Sequence, residues 1–434
     1  MNNLQDAALA LLEAAKRAGA EVAEVGLYEG ASVGIQRRLG KIEETERAET
    51  TELGLRVFLG RRSASVSANA IDHDAFQRLA EQAVAMAKVV PEDPYAEIPL
   101  APPAPDAAFL ELDDPLEPST EALIARASLA EDAALAVPGI NNSEGASASW
   151  SRAVSVLATS RGFLGEYARS FHSVSVTAIA GTGTAMQRDY DYDSKVYGAD
   201  LSDPAQLGRD AAARALARLN PVRPATAKLP VVFDPRVAGS FLGHLAGAIS
   251  GAAIARGTSF LKDALGQMVF APGVTIIDDP LRVRGLRSRP FDREGQAVRQ
   301  MKFIEDGRLT EWVLDTRAAN QLGLKTNGHA GGLSNFYMQP GRMTPTQLMA
   351  DIALGLYVTE MIGSGINGLT GDYSRGAAGF MIRNGQLAEP VAELTIAGNL
   401  KDMFLNLTPA DDLLFKRGTD APTVRIEGMT MAGG

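Results

Sequence analysis

The side chains best suited to chemistry are few and scattered in this sequence. Histidine, which binds metals and moves protons near neutral pH, occurs at His73, His172, His244 and His329. No two lie within six residues of each other, so H-x-H and H-E-x-x-H are both missing. Cysteine does not occur. That removes disulfides, thiolate zinc ligands and cysteine nucleophiles together. Ser259-Phe-Leu-Lys262 has the S-x-x-K spacing of penicillin-recognising enzymes, in which one helical turn sets lysine beside the serine hydroxyl. Their S-D-N and K-T-G companions are missing, since Lys325-Thr-Asn-Gly328 carries one residue too many. A Ser259/Lys262 hydrolase is therefore a minor alternative. Gly363-Ser-Gly365-Ile-Asn-Gly368 fits G-x-G-x-x-G, but the dinucleotide fingerprint needs a strand before it and a helix after it. A helix-like stretch precedes it here, and a glycine-rich loop accounts for it. Asp189-Tyr-Asp-Tyr-Asp193 has calcium-loop spacing, yet Ser194 stands where the loop wants glycine and Asp200 where it wants glutamate. It reads as an exposed acidic loop. Asp278 and Asp279, before Pro280, read as a carboxylate pair or as a turn closing a strand.

The elements that must position these residues follow from periodicity. A helix is expected over 3–18, with Leu4, Ala8, Leu11, Leu12 and Ala15 on one face. Val25, Leu27, Val33 and Ile35 then alternate as in strands, with turns at Gly30 and Gly40, and a hairpin follows through Gly60 to residue 69. A helix containing Phe76, Leu79, Ala83 and Met86 comes next. Residues 91–118 hold eight of the 22 prolines and read as an extended, unpacked connection. A helix at 120–136, antiparallel strands over 147–182 and a helix at 205–218 complete a first half. Pro221, Pro224 and Pro230 mark a boundary, placing domains at 1–222 and 223–434. Asp234-Pro235 is a strong helix start, with Asp as N-cap and Pro at the first position. Beyond Val274 the chain is mostly β-like, with one helix near 345–362. The expected class is α+β: an antiparallel sheet with helices, then a mostly β C-terminal domain.

The net charge of −10 and pI near 5.1 disfavour a phosphate backbone as partner. The basic residues are scattered, and the densest group, Arg282 to Arg289, reads as the solvent face of a strand. The opening MNNLQDAALALLEAAKRAG lacks the basic start and uncharged run of a signal peptide. The least polar stretch, Leu245 to Ala255, is 11 residues against the ~20 a membrane span needs. A cytoplasmic protein with no nucleic-acid or membrane partner is expected.

A series of segments, in order and nearly end to end, resembles the TldD/PmbA family. They are Arg38-Leu-Gly-Lys-Ile-Glu43, Gly54-Leu-Arg-Val-Phe58, Ala83-Val-Ala-Met-Ala87, Pro91-Glu-Asp-Pro-Tyr95 and Met186-Gln-Arg-Asp-Tyr190, then Ser259-Phe-Leu261, Asp278-Asp-Pro280, Asn335-Phe-Tyr337 with Gly341, and Thr370-Gly-Asp-Tyr-Ser-Arg-Gly376. The resemblance implies a link to peptide breakdown and to maturation of small peptide antibiotics. An association of the family with DNA gyrase control finds no support, as direct DNA binding, in the acidic charge. The family's TldD branch holds a zinc ion with H-E-x-x-x-H on a helix and a later cysteine, and that zinc activates water for peptide hydrolysis. The matching helix here reads His244-Leu-Ala-Gly-Ala-Ile249, with Leu245 in place of the glutamate and Ile249 in place of the second histidine. That departure is similar to the PmbA branch, also called TldE.

What the resemblance implies is a non-metal subunit of a heterodimeric zinc metallopeptidase that degrades or processes unfolded peptides. This chain would carry no catalytic residue and no cofactor, with His244 the only remnant near the metal motif. A TldD-like partner would supply the zinc. The segment Thr370, Gly371, Asp372, Tyr373, Ser374, Arg375 and Gly376 is the candidate groove or structural loop. A non-catalytic peptide-binding homodimer is the alternative.

Overall fold

The structure is a computed structural model describing residues 4–433. The first half is built on one antiparallel sheet. β1 (Val22–Arg38) and β2 (Lys41–Leu59) form a long hairpin that turns at Leu39 and Gly40, where φ is 47° and 80°. Gly30, expected as a turn, lies inside β1 opposite Thr50. Val25, Leu27, Val33 and Ile35 keep the same period-two face on both sides of it, interrupted by exposed Glu29 and half-buried Ala31. β3 (Arg62–Ala68), β4 (Ile140–Thr159), β5 (Leu164–Ala180) and β6 (Gln187–Lys195) complete the order β3-β2-β1-β4-β5-β6.

Four helices cover this sheet's apolar face in two pairs. The helix expected over 3–18 is α1 (Leu4–Arg17), and residue 3 lies outside the described residues. With α2 (Phe76–Val89) it packs on Val25, Leu27, Leu53, Leu55 and Val57. α3 (Thr120–Leu135) and α4 (Pro204–Ala217), capped by Ser119 and Asp203, pack on Val33, Ile35, Trp150 and Val174. These last two helices approach closely because Gly208 has no side chain. A Cβ there would lie 2.1 Å from the Ala130 carbonyl oxygen. Residues 91–118 are extended as expected but not unpacked. Ile98, Leu110 and Leu112 are buried, and the Leu110 carbonyl accepts from Arg284 N at 2.8 Å, tying this segment to the second half.

The second half begins with β7 (Ala227–Phe233), α5 (Pro235–Ala248) and α6 (Gly251–Ala255). Four short strands follow: β8 (Ile276–Asp278), β9 (Met301–Glu305), β10 (Arg308–Leu309) and β11 (Phe336–Met338). Then come β12 (Leu354–Ile366), β13 (Asp372–Arg383), β14 (Gln386–Asn399), β15 (Leu407–Pro409), β16 (Thr419–Asp420) and β17 (Val424–Ala432). One sheet has the order β14-β13-β12-β7-β17-β15, and β14 also pairs with β17, which closes five of its strands into a barrel. The other has the order β10-β9-β8-β11-β16. α5 contacts β11, β12 and β16, and Phe233, Phe241, Leu245 and Ile249 join one large core.

The helix expected near 345–362 is a correction. Only α8 (Pro345–Met349) is helical, and β12 takes over from Leu354. Two helices without a sequence expectation, α7 (Thr316–Leu322) and α9 (Leu400–Leu405), lie on either side of it. The Arg282–Arg289 segment is irregular rather than a strand, and Arg289 is partly buried, donating to the Ala330 carbonyl at 3.2 Å. Among the described residues no helix is long and apolar enough to cross a membrane. The fold class is α+β, as the sequence predicts.

Candidate functional site

α5 starts where the sequence places it. The Asp234 carboxylate accepts from Arg236 N at 2.9 Å, and Pro235 occupies the first helical position. His244 sits at the edge of the helix, its ring 6.1 Å from that of Tyr373 in a T-shaped contact. Its Nε2 is buried and has no hydrogen-bond partner among the described residues. Burial, then the neighbouring Arg375 charge, push its pKa down to about 4, so the ring is neutral at pH 7.

Zinc needs three or four converging N, O or S donors. Among the described residues no group of three or more His, Cys, Asp or Glu is placed to hold a metal. Leu245 and Ile249, which stand where the motif has its glutamate and second histidine, are both 0% exposed in the core. The Arg375 charge that disfavours a protonated His244 disfavours a dication for the same reason. This donor set does not fit zinc.

The Thr370–Gly376 segment is only in part a loop. Thr370 and Gly371 close the turn from β12, and Asp372 to Gly376 are already β13, paired with β14. Asp372 caps the turn, accepting from Thr370 Oγ1 at 2.6 Å and Asn399 Nδ2 at 3.1 Å. Strand alternation sends Ser374 to solvent and turns Tyr373 and Arg375 toward α5. Tyr373 is 2% exposed, its hydroxyl lies 3.1 Å from Met361 Sδ, and burial holds its pKa above the ordinary tyrosine range. The preceding glycine-rich stretch, Gly363 to Gly368, is the end of β12 and the turn after it, not a loop behind a helix-like segment. A second strand comes after it, so the dinucleotide arrangement fails on its downstream side.

Asp189, Asp191 and Asp193 are not an exposed loop. They lie on one face of β6, all at 5% exposure or less. Residues two apart on a strand share a face, as do residues four apart on a helix. Arg214 of α4 and Arg218, its C-cap, accordingly reach Asp191 at 3.0 Å and Asp189 at 3.3 Å. Asp189 also receives Arg236 of α5 at 2.6 Å, and Arg218 pairs with Glu360 of β12. One buried carboxylate thus joins the two halves. Burial pulls the Arg236 pKa down, but Asp234 and Asp189 outweigh it and hold the pKa above the usual arginine range. Beside this network lies a cavity of about 580 Å³.

The remaining candidates are structural in their geometry. Ser259 is 3% exposed. Its hydroxyl donates to the Ala248 carbonyl at 2.6 Å and accepts from Leu261 N at 2.9 Å, while Lys262 is exposed across a turn. The S-x-x-K reading fails because no helical turn joins the two. Asp278 ends β8 and is buried, accepting from Ser334 N at 2.7 Å beside His329 Nε2 at 3.1 Å. Asp279 Oδ1 accepts from Leu281 N at 3.2 Å, and Asn335 Nδ2 reaches the Asp279 carbonyl at 2.7 Å. The two aspartates serve different turns and do not form a pair. His172 Nε2 lies 3.1 Å from Asp114 without hydrogen-bond alignment, and burial lowers its pKa. His73 is exposed.

Glu294 carries a separate titration. Burial, together with Asp292 and Asp315, raises its pKa from 4.5 to about 7 against the Thr316 hydrogen bonds at 2.5 and 3.0 Å. The folded chain therefore holds a proton that the unfolded chain has released. This stabilisation is complete below about pH 4.5 and is lost as pH rises to about 7, about 3 kcal/mol in all. Glu294→Gln keeps the protonated shape at every pH. Unfolding free energies of the two proteins from urea titration should diverge by that amount, in the variant's favour, between pH 4.5 and 7.5; parallel curves would refute the assignment.

A barrel-bearing C-terminal half joined to a helix-covered antiparallel sheet defines a class of known structures. The fold superposes with a TM-score of 0.91 on a Bacteroides thetaiotaomicron protein described as a candidate modulator of DNA gyrase, at 25% identity over 100% of each chain. It matches TldE of Thermococcus kodakarensis with a TM-score of 0.87 at 18% identity, over 98% of this chain and 100% of that one. Residues 23–87, 113–219 and 226–433 match, in turn, domain 1, the central domain and the C-terminal domain of the PmbA/TldA metallopeptidases. The metalloprotease PmbA of Escherichia coli O157:H7 is 38% identical over 417 residues, covering 95% of this chain and 92% of that protein. The chain belongs to the PmbA/TldD metallopeptidase family, on its PmbA branch.

Proposed function

We propose that the chain is the non-metal subunit of a heterodimeric zinc metallopeptidase, shaping the chamber for unfolded peptides while a TldD-like partner holds the zinc. One observation carries this reading: at the helix that matches the metal motif, His244 stands alone, with Leu245 and Ile249 built into the core. A general base and the other ligands are missing together, so this chain alone does not hydrolyse peptides. The sheet of the first half ends on β3, with no further strand beyond it among the described residues. That edge suits an extended peptide, read through its backbone with tolerance of many side chains.

The pairing is tested by size exclusion with light scattering of this chain, its TldD-like counterpart and their mixture. A stable one-to-one complex is expected. Two unmixed peaks, with this chain a homodimer that binds peptide, would replace the proposal by the homodimer reading.

A further inference from the structure

The cavity between the two halves is lined by Arg188, Arg218, Arg236, Arg287, Arg375 and Arg417, against two carboxylates, Asp189 and Glu360. Both carboxylates are already engaged, Asp189 by Arg218 and Arg236, and Glu360 by Arg218. Arg188 is satisfied outside the cavity by Glu144 at 2.8 Å. The other three have no carboxylate partner among the described residues. Arg287 donates to the Thr419 hydroxyl at 3.2 Å, and Arg417 donates to the Pro235 carbonyl at 3.0 Å and lies over the Tyr192 ring, 5.3 Å from its centroid. Arg375 leaves its Nε buried with no hydrogen-bond partner among the described residues. A further wall residue, Thr359, is 7% exposed, and its hydroxyl is likewise unpartnered.

Arginine stays protonated in proteins. Half-buried Arg375 and Arg417, set beside an unsatisfied buried hydroxyl with no carboxylate of their own, are therefore costly unless an anion completes them, and exposed Arg287 adds a third positive charge to the same cavity wall. The cavity volume is that of a small-ligand site. The guanidinium fork matches the two oxygens of a carboxylate. Val237 and Met361 on the same wall offer apolar surface to whatever carries that group.

We infer that this cavity binds a peptide carboxylate, held by Arg287, Arg375 and Arg417 and met by the Thr359 hydroxyl. The choice of a peptide rests on the proposed function; the anion site does not, because it lies wholly within this chain.

The test is calorimetric titration of the full chain with three short peptides: acetyl-trialanine with a free C-terminus, its C-terminal amide, and an acetylated, amidated peptide whose one charge is a glutamate side chain. Binding of either carboxylate peptide, at least about tenfold tighter than the uncharged amide, is expected, and which of the two binds identifies the source of the carboxylate. Arg375→Gln should weaken it by at least about tenfold. Arg287→Gln, at an exposed position that leaves the core intact, should do the same with an unchanged melting temperature. Equal binding of the uncharged amide, no binding of any peptide, or indifference to both variants would overturn the inference. Complex formation with the TldD-like partner is measured on the same variants. A complex that still forms while carboxylate binding is lost separates a result about this site from a result about subunit pairing.

Discussion

Asp189→Asn should lower the stability of the chain by about 3–5 kcal/mol, the usual cost of removing one member of a buried charge cluster. The carboxylate is 3% exposed and holds Arg218 at 3.3 Å and Arg236 at 2.6 Å, one from each half of the molecule. An amide of the same shape keeps the packing but leaves two desolvated guanidinium groups facing each other. Arg236 retains Asp234 at 3.1 Å and Arg218 retains Glu360, which keeps the loss within that range. Urea unfolding checks it. A change below 1 kcal/mol would mean that the halves do not depend on this carboxylate. Because the two arginines share one partner, Asp189→Asn combined with Arg236→Gln should cost less than the sum of the single changes.

Leu245→Glu is expected to destabilise the fold by about 4 kcal/mol or more, and to leave the chain without zinc even when Ile249→His accompanies it. The pair would restore the letters of H-E-x-x-x-H. Leu245 and Ile249, however, are 0% exposed and share a core with Phe233, Phe241 and Leu242. A glutamate placed there loses its water and gains no partner. Arg375 adds a positive charge beside His244, where the metal would have to sit. Thermal unfolding and elemental analysis of the double variant decide the matter. A folded variant that takes up one zinc per chain would show that α5 is a dormant metal helix rather than a packed one.

What the sequence revealed depended on how local each signal was. Asp234-Pro235 set the start of α5 correctly because a cap and a fixed φ need no distant partner. Val25, Leu27, Val33 and Ile35 gave β1 its buried face for the same reason. β12 reads as a helix from sequence because Leu354, Tyr357, Val358, Met361 and Ile362 satisfy a helical spacing as well as a strand. The β-branched residues Val358, Thr359 and Ile362, with Gly355, Gly363 and Gly365, were the available counter-signal.

Asp189, Asp191 and Asp193 looked like an exposed loop because their partners are distant in sequence. The period-two acids and the period-four Arg214 and Arg218 were complementary, but only the fold sets β6 against α4. The cavity arginines, spread from Arg188 to Arg417, form no motif at all. The family assignment, by contrast, rests on a run of short segments in order, which survives any error in a single element, and the PmbA branch on Leu245 and Ile249 in the metal motif.

The proposed function requires that this chain alone binds no stoichiometric zinc and cleaves no peptide. The most direct measurement is zinc content and peptide hydrolysis for this chain alone, the TldD-like chain alone, and the two mixed. The prediction is no stoichiometric zinc and no hydrolysis by this chain alone, with zinc carried by the partner and chelator-sensitive cleavage appearing in the mixture. Stoichiometric zinc or peptide cleavage by this chain alone would contradict it.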